Sequence, residues 1–201
     1  MEGLQAFALV VSLTELVLLV TVLAARAANT DAFVSTEMED LTSFRLLLTV
    51  FTLNSILLSL LYVWARSQRG GCLYTAAAGA VAGVVGWGML SLSPVESSLH
   101  MVGVATFLFG QGALLLMQFA LASALSAVFL TGFAATAVCA ALFLALDFAG
   151  NRAGAAWSEW IALVLNSLLL VLFWWANPFQ PQATQARPEA APLMPVQSGW
   201  V

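Results

Sequence analysis

Long apolar runs separated by short polar breaks set the pattern of this chain. Runs of about 20 apolar residues, the length that crosses a hydrocarbon core as a helix, cover 4–25, 46–65, 72–93, 101–122, 125–146 and 157–176. The fourth and fifth runs have no charge between them, since Met101 to Leu146 is 46 uncharged residues. At about 1.5 Å of rise per residue, one helix of that length would far exceed a hydrocarbon core of about 30 Å. The run must fold back, and Ala122-Ser123-Ala124-Leu125-Ser126 is the expected turn. The pattern predicts an all-α polytopic transmembrane helix bundle of six spans over 1–176. A disordered cytoplasmic tail is expected over 177–201, where Asn177-Pro178 breaks the last helix and Pro181, Pro188, Pro192 and Pro195 follow.

Composition turns this pattern into a constraint on the solvent. Of 201 residues, 62% are apolar and 8% are charged, with a mean hydropathy of +0.97. A soluble domain carries about 25% charged residues. Lipid must therefore surround most of the chain, which leaves no room for a separate soluble domain. The N-terminal run ends in Ala25-Arg26-Ala27, which has the look of a signal-peptidase site. Glu2 stands where a basic segment is expected, and the run is longer than a usual signal core, so it is read as a retained span.

Charge supplies an orientation. All six basic residues are arginines: Arg26, Arg45, Arg66, Arg69, Arg152 and Arg187. They form no basic patch, which excludes nucleic acid as a partner. Arg66 and Arg69 flank the connection between the second and third runs, which carries no acid. The positive-inside rule places that side, and with it both termini, in the cytoplasm. The loop with Asp31, Glu37, Glu39 and Asp40 then lies on the lumenal or extracellular side, as do Glu96, Asp147 and Arg152.

Polar residues within the runs are the candidate functional positions, because each needs a partner or a water-filled cavity. Glu15, Asn54, Gln111 and Asn166 stand near mid-depth on four different spans, where they could form one polar layer. Glu15 is the costliest, at about 2.5–3.5 kcal/mol for an ionised carboxylate at the bilayer centre. No Arg or Lys lies inside a span to offset it. It is expected to be neutral, bonded to an amide such as Asn54 or Asn166, or facing a partner subunit that supplies a counter-charge. A proton or cation site is the functional reading, and interhelical glue the structural one, ranked first. Gly79 and Gly83 form a GxxxG pair in a run of small residues, which suits close helix packing within the bundle ahead of dimerisation.

Catalytic chemistry and cofactors find little support. Cys72 and Cys139 have neither a metal-ligand spacing nor a Cys neighbour, and His100 is the one histidine. That excludes a bis-histidine haem or a multi-ligand zinc site. No cofactor or metal is expected. A rim site for lipid chemistry would use His100, Glu96, Asp147 and Glu159, and it would require them to converge on one pocket.

Several residues resemble a known family. His100-x-x-Gly103-x-x-x-Phe107-x-x-Gly110, with Gln118 further along the same run, is similar to the fourth span of the damage-regulated autophagy modulator (DRAM) family, which includes the tentonin-type proteins. Glu159-Trp160 resembles the acid–Trp pair that opens the last span of those proteins, and Tyr62, Trp64 and Arg66 the residues closing their second. The resemblance covers about residues 42–176. In the first loop, Thr36-Glu37-Met38-Glu39-Asp40 lacks the Pro and Gly that the family carries there, and the family's polar connection between spans 4 and 5 is nearly missing. The resemblance implies a non-enzymatic protein of an endomembrane (lysosome, Golgi or ER) or the plasma membrane, modulating autophagy, lipid signalling or a channel partner. Residues and resemblance together lead to a regulatory or assembly subunit that contacts the bilayer and another membrane protein. A small transporter or channel around Glu15 comes second, and a rim lipid-modifying enzyme last.

Overall fold

A computed structural model of the chain describes residues 2–26, 33–67, 70–94, 97–122 and 126–176. In chain order the elements are α1 (Glu2–Arg26), α2 (Val34–Asp40), α3 (Thr42–Arg66), α4 (Gly70–Leu92), α5 (Ser98–Ala120), α6 (Ser126–Phe148) and α7 (Arg152–Ala176). There is no strand among the described residues. All but α2 are 23–25 residues long. At about 1.5 Å per residue each reaches about 35 Å, enough to cross a bilayer core. These six are long and apolar enough to be spans, and the chain is a multi-pass integral membrane protein. The connection expected at Ala122–Ser126 falls between the end of α5 at Ala120 and the start of α6 at Ser126. Asp31, Arg69, Glu96 and the tail from 177 onward lie outside the described residues.

The spans alternate in direction, so one end of the bundle carries α2 and the other carries the N-terminus of α1. Two connections show how the sequence ends its helices. At the α6–α7 corner Gly150 takes φ +76°, which only glycine adopts without cost. The Asn151 amide then donates to the Leu146 carbonyl and the Gly150 amide to that of Asp147, both at 2.9 Å, closing a Schellman turn. Asn151 also caps α7, accepting from the Gly154 amide at 3.1 Å. At the start of α5, the Ser97 hydroxyl accepts from the His100 amide at 3.1 Å.

In lipid the usual segregation of apolar residues loses its force, because the surroundings are as apolar as the core. Large side chains such as Phe7, Val10 and Val17 of α1 and Leu46, Leu47 and Val50 of α3 face outward. Small residues and rings hold the interior. The tightest seam joins α4 to α5, where glycine meets glycine. A methyl group added at Gly79 would stand 2.8 Å from the Gly110 carbonyl, and one at Gly103 would stand 2.6 Å from the Leu90 nitrogen. At Gly86 it would run into the Phe107 backbone, 2.7 Å from its Cα, and at Gly110 into α4, 2.6 Å from the Gly79 carbonyl. Gly83 is less crowded, with the Ile56 side-chain tip at 3.3 Å.

Rings close the two ends. Opposite α2, Phe173 meets Tyr62, Trp174, Phe129 and Phe119 with centroids 4.8, 5.0, 5.4 and 5.6 Å away. This box joins α3, α5, α6 and α7. At the α2 end Phe33 packs edge-on against Phe143 at 6.2 Å, and Phe44 stacks on Trp160 at 6.5 Å. The loop before α3, expected to be an acidic connection, instead folds α2 back against the bundle. Phe33, Val34 and Met38 are all buried there.

Candidate functional site

Among the described residues the four mid-depth polar residues are not hydrogen-bonded to one another. Glu15 is 6% exposed and accepts hydrogen bonds from Ser55 at 3.2 Å and Thr52 at 3.4 Å. The expected amide partners are not used. Asn54 returns its Nδ2 to the Val50 carbonyl of its own helix at 2.7 Å. Two residues along a helix turn the side chain by about 200°, so Asn54 cannot share the face that Thr52 presents to α1. Glu15 also needs no partner subunit for its hydrogen bonds, since α3 supplies both donors. Gln111 and Asn166 sit elsewhere, on the wall of a crevice between α5, α6 and α7.

That crevice follows from the sequence of α6. Phe129 and Phe143, both buried, anchor the helix near its ends against the ring clusters. Between them the chain is mostly small: Gly132, Ala134, Ala135, Thr136, Ala137, Cys139, Ala140 and Ala141. Small side chains cannot fill the distance that the end rings impose. Only 11% of the α6 span is buried in the chain, against 28–44% for the other five. The gap is a crevice of about 320 Å³, within the size range of about 300–1,000 Å³ typical of ligand sites. Phe109, 77% exposed, lines it along with Gln111, Thr136 and Asn166, so it reaches the lateral surface of the bundle.

The lining is apolar except for those groups. Thr136 returns its hydroxyl to the Gly132 carbonyl at 3.0 Å. The Gln111 Oε1 is buried with no hydrogen-bond partner, and Asn166, half-buried, lines the same crevice. A buried acceptor left unpaired, as this amide oxygen is, costs about 1–3 kcal/mol on protein scales.

Towards the α2 end the crevice adjoins a second cavity of about 50 Å³, with Phe107, Leu108, Ala140, Ala162 and Leu163 in both walls. His100 and Glu159 line this smaller space, together with Val34 and Met38 of α2. The His100 ring is 3% exposed and its Nδ1 has no partner. Glu159 accepts the Val34 amide at 2.8 Å and so fixes the start of α2 as the cavity's lid. Of the four residues expected for a rim site, His100 and Glu159 share a wall. Asp147 does not line either cavity, and Glu96 lies outside the described residues.

The family-like residues occupy distinct roles. Gly103 and Gly110 face the α4 seam, Phe107 joins the seam to both cavities, and Trp160 stacks on Phe44. Gln118 is fully buried, and neither its oxygen nor its nitrogen has a partner. Arg66 sits over the Tyr62 ring, 5.6 Å from its centroid. Thr52 and Ser55 escaped the sequence reading because hydroxyls are common in spans and usually bond their own helix. Among the described residues no group of three or more His, Cys, Asp and Glu could hold a metal. Comparison with known protein families, characterised proteins and solved structures finds no match for this chain.

Proposed function

We propose that this chain is a non-enzymatic six-span membrane protein that takes a neutral lipid into the α5–α6–α7 crevice and signals its occupancy to another membrane subunit. The observation that carries this reading is the buried, unpartnered Gln111 Oε1 in the wall of a laterally open crevice that Asn166 also lines. A plain acyl chain offers that oxygen nothing. A lipid with an uncharged hydroxyl or amide at that depth satisfies it while its apolar body replaces the missing α6 side chains. An ionic headgroup would be too costly to desolvate there. The adjoining cavity with His100 extends the site towards one membrane face.

The positive-inside reading of Arg66 and Arg69 assigns that face to the lumen or cell exterior. The resemblance to the DRAM family supports a role in lipid signalling, autophagy or control of a channel partner, in an endomembrane or the plasma membrane. A regulatory subunit fits a crevice bordered by a helix that is little buried in the bundle, since occupancy would shift α6.

Ala140 borders both cavities, so Ala140→Trp fills them. Native mass spectrometry of the detergent-purified chain is expected to show a neutral lipid adduct that falls at least about tenfold in this variant, equivalent to about 1.4 kcal/mol. Retention of only bulk phospholipid, equal in both proteins, refutes the reading.

A further inference from the structure

We propose, on the footing that the α5–α6–α7 crevice is a lipid site, that its occupant is a rod-shaped neutral lipid with a hydroxyl at each end. A sterol hydroxylated again at the end of its side chain has this pattern.

The two cavities lie end to end along one wall. Phe107, Leu108, Ala140, Ala162 and Leu163 line both of them. On α5 the lining begins at His100, in the small cavity, and reaches Gln111 in the crevice. Eleven residues advance a helix by about 16 Å and leave it only about 20° out of phase. Gln111 therefore stands almost straight along α5 from His100. Helix α7 repeats the arrangement, with Glu159 in the small cavity and Asn166 in the crevice. Those two are seven residues apart, about 10 Å along the axis and again within about 20° of one line.

Polarity follows the same axis. At the outer end His100 is 3% exposed and its Nδ1 has no hydrogen-bond partner. At the inner end Gln111 is 6% exposed, with none at Oε1. The five residues shared by the two walls, which lie between, are apolar throughout. Each end thus calls for a guest that supplies a hydrogen bond. An amide oxygen only accepts, so the inner group must be a donor, which an ester or ether oxygen is not. An imidazole nitrogen accepts or donates according to its tautomer, and a hydroxyl answers either. The broad terminal torsion of a glutamine lets its amide turn to meet the guest. A charged group at the inner end is excluded by its desolvation cost.

Shape narrows the guest further. Its two hydroxyls must stand about 10–16 Å apart across an apolar body. A flexible chain would surrender its rotational freedom to hold them there, whereas fused rings are already extended. Ala137, Ala140 and Ala141 of α6 give the crevice a wall without bulky side chains, which suits a flat ring system. His100 is the third residue of α5, close to the membrane face, and Gln111 is at mid-depth. In open bilayer a two-ended sterol sets one hydroxyl at the interface and leaves the other unpaired in hydrocarbon. The site offers that second hydroxyl a partner, which bulk lipid does not.

Competition against a photoreactive diacylglycerol tests this, with the full-length chain in phosphatidylcholine vesicles and the label read on the α6 stretch 136–144. The competitors are cholesterol, a sterol with its second hydroxyl on the rings, and one with it at the end of the side chain. The side-chain form should displace the label at a concentration at least about tenfold lower than either of the others, the equivalent of one buried hydrogen bond. His100→Phe and Gln111→Leu should each erase that preference while the chain is still labelled. Equal displacement by the three sterols overturns the two-ended occupant and leaves the lipid crevice standing. A preference that survives intact in both variants overturns it equally. A chain that takes no label on this stretch loses the crevice and its occupant together. Should either variant fail to fold, the three sterols on the wild-type chain decide the matter.

Discussion

Gly110→Ala should abolish or sharply reduce recovery of the folded protein, although it adds one methyl group. Its new Cβ would meet backbone atoms of α4 at Gly83, Ala82 and Gly79 together, the Gly79 carbonyl at 2.6 Å. Backbone cannot step aside as a side chain can, so the two helices must separate along the whole seam. Overpacking in a rigid core costs about 1–3 kcal/mol or more, a large fraction of a total stability of about 5–15 kcal/mol. In a bilayer the loss is not recovered elsewhere, because helix association there rests on packing and not on hydrophobic burial. The midpoint of detergent-solubilised protein is expected to fall by roughly 5 °C or more. Gly83→Ala should shift it less, since its nearest neighbour is the flexible tip of Ile56 at 3.3 Å. Gly88→Ala, with nothing within 4 Å, is the neutral control. Equal effects at Gly110 and Gly88 would contradict the seam.

Phe173→Ala should produce the second large loss, at the end of the bundle away from α2. Its ring is fully buried and contacts four other rings, contributed by α3, α5, α6 and α7 itself. Deleting such a side chain costs about 3–5 kcal/mol in water-soluble cores. A comparable loss is expected here, because the contacts removed are dispersion contacts with fixed partners. Phe129 would lose its partner on α7 and keep only Phe119, so α6 is the helix released first. Phe173→Leu should recover about half of the loss in a melt. A Phe173→Ala protein that melts like wild type would show that the ring box does not hold α6.

The span count was legible because length and lipid-compatible composition admit few alternatives, whereas α3 and α7 begin four and five residues before the apolar runs that mark them. Interior organisation was less so, for physical reasons. A span is apolar all round, and its pattern does not say which face meets which neighbour. Gly79 and Gly83 marked α4 as a close-packing helix, yet their counterparts Gly103 and Gly110 stood out only through a family resemblance, and Gly86 not at all. Glu15 was recognisable by its cost, but its partners were hidden among ordinary serines and threonines. Asn54 drew attention as the stronger hydrogen-bonding group although its own helix already satisfies it. The short helix α2 was masked by Glu37, Glu39 and Asp40, which made its segment read as a solvated loop. Phe33, Val34 and Met38 were the signal that this segment had a buried side. The crevice had a signal too, in the run of small residues between Phe129 and Phe143. Gln118, buried and unpartnered, has no physical account in this fold.

Photo-crosslinking in intact membranes tests the crevice most directly, using a diacylglycerol that carries a diazirine in its acyl chain. Peptide mapping should place the label on the facing stretches 107–115 of α5 and 136–144 of α6, with neighbouring residues of α7, and Ala140→Trp should remove it. Label spread evenly over the lipid-facing surfaces, with Leu46, Leu47 and Val50 of α3 marked as strongly as α6 and Ala140→Trp without effect, would contradict the account.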